Sequence, residues 1–320
     1  MTKIAVVQQD AVLADVPANL AMCERLADAA AEAGAEIVVL PEFFTTGMAF
    51  LPKLVDCAQP LDGAAAQLLM RLARRHQVTV GGSFLCREAD GDTRNTFLLA
   101  TAAGIVGRHD KDLPTMWENC FYIGGTDDGV LPETGGFTPG AAVCWEFMRT
   151  QSVHRMRGRV DIVLGGSCWW SVPPWPPRAL TRRWEDANAA TAADVAPAFA
   201  RLVGAPVAHA AHCGDVTCRM PMTPLPYRGH CQGGAVIAAA DGRVLARRDR
   251  SEGPGFALAD VTIGRVAPLD APPAGFWLHD RGPVAAVNWA YQNWHGRRWY
   301  ARHGRRPMPP IRSAERAEHG

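Results

Sequence analysis

The stretch EIVVLPEFF, residues 36–44, carries a β-branched run that stops at Pro41 and delivers Glu42 beside two aromatic side chains. Such a run reads as a strand covered on both faces, and Pro41 has no N–H with which to extend it. Upstream, KIAVVQ (3–8) reads as another buried strand. Ala18–Ala33, rich in Ala, Leu, Met and Glu, reads as a helix stopped by Gly34. Strand, helix and strand in close succession form a βα-type unit.

The alternation continues with a helix over Leu61–His76 and a strand over Val78–Phe84. Then the rhythm changes. Asn95–Ala100 and Ile105–Arg108 flank Ala103-Gly104, and Ala235–Ala240 and Arg243–Ala246 flank Asp241-Gly242. Both pairs read as β-hairpins, the second more clearly because Asp-Gly supplies the positive φ that tight hairpin turns need. Gly140–Cys144, Asp161–Leu164 and Ala205–Ala208 are apolar runs bounded by Gly or Pro, as expected of strands packed sheet on sheet. One mixed α/β domain over residues 1–280 is the economical reading. Residues 281–320 are set apart as a C-terminal extension: from Trp294 they are crowded with Arg, and they are expected to be solvated or to pack on a neighbouring subunit.

Composition removes several function classes. A net charge of +1 gives no electrostatic footprint for nucleic acid or an acidic membrane surface. No apolar stretch approaches the roughly 20 residues of a membrane span. The start MTKIAVVQQD has no apolar leader segment, so a cytoplasmic location is expected. Nine Cys, an odd number without compact spacing, are expected to be reduced thiols. Any one of them must therefore be argued from its neighbours.

Three segments end a strand in a reactive residue: Glu42 after IVVLP, Lys111 after the GRHD of the first hairpin, and Cys144 after GAAV. In α/β sheets, ligands gather beyond strand ends. A thiol is mostly protonated at neutral pH and needs a base or a positive charge beside it. A carboxylate set against aromatic rings can take and return that proton. A Lys, with a backbone N–H such as that of Trp145, can stabilise an oxyanion. Each piece alone is weak, and their joint occurrence carries the reading.

These residues resemble the motifs of the nitrilase superfamily of carbon–nitrogen hydrolases: Pro41-Glu42, then Lys111 with Pro114-Thr115 and Glu118, then Cys144-Trp145-Glu146. The resemblance covers roughly residues 3–265. It implies an α/β fold of four layers, an αββα sandwich, in a homodimer or larger homo-oligomer. It further implies Glu42 as general base, Lys111 as oxyanion stabiliser, Cys144 as nucleophile, and Glu118 as a second glutamate that positions substrate or water. No metal or organic cofactor is implied. The run Lys111–Glu118, the segment Gly124–Gly129 and Cys144-Trp145-Glu146 look like the nitrilase branch. Phe147-Met148-Arg149-Thr150 departs from it, where that branch carries Asn and then Met-Pro, and amide and nitrile stay equally open.

Around this constellation, substrate contact is expected from Trp145, Glu146, Trp169, Trp170 and His209. The Pro-rich run Ser167–Pro177 reads as a loop whose Trp169 and Trp170 wall the site and select a bulky or aromatic acyl group. Glu146 fits a partner of the site or a structural ion pair equally well. His209, His212, Cys213, Cys218, His230 and Cys231 lack the paired spacings of a zinc site and read as core or pocket wall. The function expected is hydrolysis of a small amide or nitrile. The alternatives are acyl transfer to an amine through the same Cys, or a non-catalytic scaffold.

Overall fold

The computed structural model describes residues 1–221, 225–279 and 282–306. Its first half runs β1 (Thr2–Gln9), α1 (Val16–Glu32), β2 (Ile37–Val39), β3 (Gln59–Pro60), α2 (Ala64–His76), β4 (Thr79–Arg87), β5 (Thr93–Thr101) and β6 (Gly104–Asp110). The second half runs β7 (Pro139–Val143), α3 (Thr150–Met156), β8 (Ile162–Ser167), α4 (Arg178–Val203) and β9 (Val207–His212). It continues through the hairpin β10 (Asp215–Arg219) and β11 (Pro226–His230), then β12 (Ala235–Ala238), β13 (Val244–Arg248), β14 (Gly255–Val261) and α5 (Gly282–Trp299).

Successive side chains of the early strands go to two different cores. Ile4 and Val6 of β1, Ile37 and Val39 of β2, and Phe97 and Leu99 of β5 enter one cluster. Ala5 and Val7, Val38, and Leu98 and Ala100 enter another, together with Cys23, Ala27 and Ala30 of α1 and Leu68, Leu69 and Leu72 of α2. A strand points its side chains alternately to opposite faces, so this half-sheet is buried on both sides. That is why its sequence shows no alternation of apolar and polar residues.

The half-sheet has the order β14-β1-β2-β4-β5-β6, and the other has β13-β12-β9-β8-β7. They join at one corner, where Gln8 pairs with Ala211 and Gln9 with His212, and pack face to face elsewhere through the first cluster. Phe199 and Val203 of α4 and Val153 and Met156 of α3 cover the second half-sheet. The layers are therefore helices, sheet, sheet, helices, the expected αββα sandwich.

The strands and helices expected up to Arg108, and the later hairpin, are present within a few residues of their bounds. The sequence reading assigned no element to α3, α4, β10, β11, β14 or α5. Of the segment set apart as an extension, residues 282–306 lie against the same chain. Trp289 stacks on Trp145 at 5.4 Å, Tyr300 Oη accepts from the backbone N–H of Thr93 at 2.8 Å, and Arg305 donates to the Asp90 carbonyl at 3.0 Å. The end of the Arg-rich tail, 307–320, lies outside the described residues. No described helix is long and apolar enough to cross a membrane.

The face of α2 makes a quantitative test. Leu72 is buried between helix and sheet, whereas Arg71 is exposed and reaches Glu24 at 3.6 Å. Leu72→Ala is expected to cost about 2–5 kcal/mol in urea unfolding. Arg71→Ala should cost under about 1 kcal/mol in the same measurement.

Candidate active site

Glu42, Lys111 and Cys144 follow the ends of β2, β6 and β7, and the sandwich brings these ends together. Glu42, Glu118 and Cys144 each present an atom within 4.8 Å of the other two, and all three are buried. Lys111, also buried, lies between the carboxylates: its Nζ donates to Glu42 Oε1 at 2.8 Å and to Glu118 Oε2 at 2.7 Å. This donor set could suit a cation, and the Lys111 ammonium supplies one.

Each carboxylate is held from several directions. Asn95 Nδ2 donates to Glu42 Oε1 at 2.9 Å, and the backbone N–H of Cys168 donates to Oε2 at 2.9 Å. His212 Nε2 meets the Glu42 carbonyl at 2.6 Å and fixes the main chain beneath it. Glu118 accepts from Tyr122 Oη and, at 2.8 Å, from the backbone N–H of Thr115. Asn95 serves both partners, because its own carbonyl receives the Lys111 N–H at 2.9 Å.

The backbone is bent where the chemistry sits. Phe43, Met116 and Cys144 have φ of 52°, 52° and 55°, a left-handed conformation unusual for residues with a side chain. Such conformations persist where the surroundings over-determine them. At Cys144 the chain turns from β7 into a short 3₁₀ turn, Cys144–Met148, so the thiol leaves the sheet and faces the carboxylates.

Electrostatics follow from burial. Burial opposes the charge on Lys111, but Glu118 and Glu42 outweigh it and hold the ammonium well above its ordinary pKa. Burial pushes the Glu118 carboxyl up to about 7, with Lys111 pulling it down and Glu42 adding to the rise. Burial, then Glu42, raise the Cys144 thiol, with Lys111 opposing them. The resting site is a buried thiol held protonated beside an ammonium that bridges two carboxyl groups.

A second buried network holds the Cys144 turn to the Lys111 loop. Glu146 accepts from the backbone N–H of Val143 at 2.8 Å and of Asp112 at 2.9 Å. His109 bridges Glu146, at 2.8 Å, and Asp127. Arg149, fully buried, pairs with Asp112 and donates to the Leu113 carbonyl at 3.0 Å. The stretch after Glu146 that departs from the nitrilase branch is thus interior: Phe147 packs on Phe199 at 5.1 Å and on His209 at 5.2 Å.

A cavity of about 820 Å³ opens onto Cys144. Trp145, Trp169 and Trp170 line it, and Asn188 of α4 fastens the last two. Trp169 Nε1 donates to Asn188 Oδ1 at 2.9 Å, and Asn188 Nδ2 donates to the Trp170 carbonyl at 3.0 Å. Two expectations need correction. Glu146 does not line the cavity, because both its oxygens are engaged behind the Cys144 turn. His209 does not line it either: it is buried with Nε2 3.0 Å from Ser167 Oγ and its ring against Phe147.

The carbon–nitrogen hydrolase family model matches residues 3–270. The chain belongs to the carbon–nitrogen hydrolase family. It is similar to a nitrilase of Pyrococcus abyssi, 28% identical over 190 residues, which are 57% of this chain and 70% of the other. An omega-amidase of Yersinia enterocolitica is 28% identical over 59% of this chain and 69% of its own length. A bifunctional nitrilase/nitrile hydratase of Lupinus angustifolius is 32% identical over 45% of this chain, and only 47% of that protein is spanned. Among solved structures, a carbon–nitrogen hydrolase from Helicobacter pylori has a TM-score of 0.66 at 17% identity, covering 81% of this chain and 88% of that one. An amidase from Nesterenkonia sp. AN1, in a structure showing covalent addition at its active-site cysteine, has a TM-score of 0.63 at 20% identity, covering 90% and 97%. These two likenesses establish the nitrilase-type fold, and the family establishes a hydrolytic enzyme acting on carbon–nitrogen bonds.

Sequence reasoning missed Asn95, Tyr122, His109, Asp127 and Asn188 in this hydrolase. One signal was available: Asn95 falls within a strand, where Asn is depleted, and the structure buries it fully. Asp127 lies in the Gly124–Gly129 segment already singled out. A Cβ on Gly124 would collide with the Asp112 carbonyl, so glycine there lets Asp127 reach His109.

The His109 bridge predicts a pH dependence. Burial disfavours the imidazolium, yet Glu146 and Asp127 outweigh it and lift the pKa from 6.5 to about 10. A raised folded-state pKa gives stability that is complete below the unfolded value and is lost as pH rises through the folded one. His109→Gln is therefore expected to be less stable than the parent by a few kcal/mol at pH 6.5. The gap should close toward pH 10, as urea titrations across that range would measure. A gap that stays constant would show that the charge on His109 contributes nothing.

Proposed function

We propose that this carbon–nitrogen hydrolase cleaves the amide or nitrile of a small organic molecule through a covalent Cys144 intermediate. The observation that carries this reading is the Cys144 thiol within 4.8 Å of the Glu42 and Glu118 carboxyls, with the Lys111 ammonium bridging them.

Glu42 accepts the Cys144 proton as the sulfur attacks the carbonyl or nitrile carbon. Forming the thiolate only as the carbon approaches suits a thiol whose buried surroundings hold it protonated at rest. With an amide, the oxygen of the tetrahedral intermediate is stabilised by Lys111 and by the N–H at the start of the Cys144 turn. The amine leaves with the proton returned from Glu42, giving a thioester. Water then gives its proton to Glu42 and attacks the thioester, releasing the acid and restoring the thiol. Glu118, through its hold on the Lys111 ammonium, keeps the oxyanion donor aimed at the reacting carbon. A nitrile follows the same course with one more water, since its carbon must first become a thioimidate and lose ammonia.

Binding energy comes from the aromatic cavity, which excludes water from the cluster and strengthens its electrostatics. The names of the relatives, nitrilase and omega-amidase, and the cysteine adduct of the Nesterenkonia amidase agree with this chemistry.

A screen of amides, nitriles and N-carbamoyl compounds for ammonia release is expected to find substrates. Mass spectrometry of the quenched reaction should find the acyl adduct on Cys144, and an adduct on any other of the nine thiols would refute the assignment. Cys144→Ala should lower kcat by at least about 10³-fold. For the best bulky substrate, Trp169→Ala and Trp170→Ala should each lower kcat/KM by about tenfold or more. Unchanged kinetics in both would remove the aromatic wall from the proposal.

A further inference from the structure

We infer that the substrate's acyl part is an uncharged aromatic group bearing a neutral hydrogen-bonding substituent, and that Gln292 receives that substituent. This deepens the hydrolase reading above and rests on it.

The argument begins with what the cavity wall lacks. Six tryptophans line it, Trp117, Trp145, Trp169, Trp170, Trp175 and Trp184, yet no Asp, Glu, Lys or Arg side chain does so among the described residues. A carboxylate or ammonium on the acyl part would enter this space stripped of water, with no Lys, Arg, Asp or Glu side chain to face it and the His279 imidazole as the one ionisable ring of basic character on the described wall. The charges near Cys144 offer no counter-ion, because Lys111 is already engaged by two carboxyl groups. Acids that carry their amide at the far end of the chain, and N-carbamoyl amino acids, are thereby disfavoured. Flat aromatic rings suit the wall, since they stack face or edge against indoles.

The wall is not wholly apolar. Gln292, on α5, lines the cavity and is 2% exposed. Its Nε2 donates to Asn288 Oδ1 at 3.0 Å, while its Oε1 is buried with no partner. Trp117 Nε1 and His279 Nε2, also at the wall, are buried without partners. A buried polar atom left unpaired costs free energy that a ligand can recover. A hydroxyl or carboxamide on the ring would meet such atoms, whereas an unsubstituted ring would leave them as they are.

Placement adds to the case. The family match ends at residue 270, and Gln292, Asn288 and Tyr291 come after it, on the helix that sits over the cavity. The catalytic cluster lies within the shared part of the chain. This part of the substrate's selection lies in the segment beyond it.

The test uses 3-phenylpropanamide, its 4-hydroxy and 4-carboxylate derivatives, and succinamate. Binding is measured by calorimetry on the Cys144→Ala protein, and turnover on the parent. The neutral aromatic amides should bind at least about 100-fold more tightly than the two carboxylates. The 4-hydroxy compound should bind more tightly than the unsubstituted one. Gln292→Met in the Cys144→Ala background should lower that hydroxy-to-phenyl preference about tenfold. Gln292→Leu supplies the same reading if the Met variant does not fold.

Carboxylates that bind within about tenfold of the neutral amides would overturn the inference. So would a hydroxy-to-phenyl preference that Gln292→Met leaves unmoved. If the expected binding order holds while the parent releases ammonia from none of them, the selectivity stands and the hydrolytic reading is what fails.

Discussion

One ammonium between two carboxyl groups governs this site. Lys111 is fully buried, and burial alone would strip its proton. Glu42 and Glu118 keep it charged, and it in turn restrains the rise of Glu118. Removing one member of such a cluster leaves an uncompensated buried charge, which costs about 3–5 kcal/mol, so the three groups are held as a unit. Their hydrogen bonds come from β5, from the turn after Lys111 and from the end of β8. The cluster is therefore only as accurate as the sandwich that brings those elements together.

That dependence explains the second network. Glu146 ties the N–H of Val143, just before the Cys144 turn, to that of Asp112, just after Lys111. Thiol and ammonium are thus linked by one side chain that touches neither. Because Cys144 sits at positive φ, its turn would relax without such restraint. His109, held in turn by Asp127, completes the line by giving the buried Glu146 carboxylate a positive partner. Burial raises Glu146, but His109 outweighs it and holds the carboxylate well below its ordinary range.

The first half of the fold was legible because local signals were strong: β-branched runs broken by Pro or Gly, and an Ala-rich stretch with a clear stop. Glu42, Lys111 and Cys144 were legible because each ends such a run. The long helix α4 was not, since its N-terminal half is largely exposed and Pro197 interrupts its buried half. Pro lacks the N–H that a helix interior uses, so tertiary packing of Val195, Phe199 and Val203 had to decide the matter. Glu146 was misplaced for a related reason. Adjacency to a reactive residue in sequence says nothing about which way a side chain points when the backbone turns at Cys144. Glu146 points back under β7, and the ring of His209 lies between the second half-sheet and Phe147.

The cavity shows how a conserved kind of chemistry can be joined to selection made elsewhere in the chain. Trp145 follows Cys144 directly, yet its indole is fixed from outside: Trp289 of α5 stacks on it at 15°, and Trp277 meets it edge-on at 5.6 Å. Asn188 of α4 holds the Trp169 indole and the Trp170 backbone, while the Trp170 indole donates to the Met48 carbonyl at 2.9 Å and packs on Trp117. The loop itself offers Pro for stiffness but no anchor of its own for those rings. The reactive atoms are thus set by strand ends near the corner of the sandwich, and the wall is set by α4 and α5. A change in α4 can therefore reshape the cavity without moving Lys111 or its carboxylates, whereas α5 also packs on the turn that carries Glu118, where Gly296 lies against Asn119. The turn Met116–Cys120 joins cluster and wall, since it carries Glu118 and packs Trp117 on Trp170 at 4.5 Å, so the group beside the bond attacked is read from the helices together with this turn.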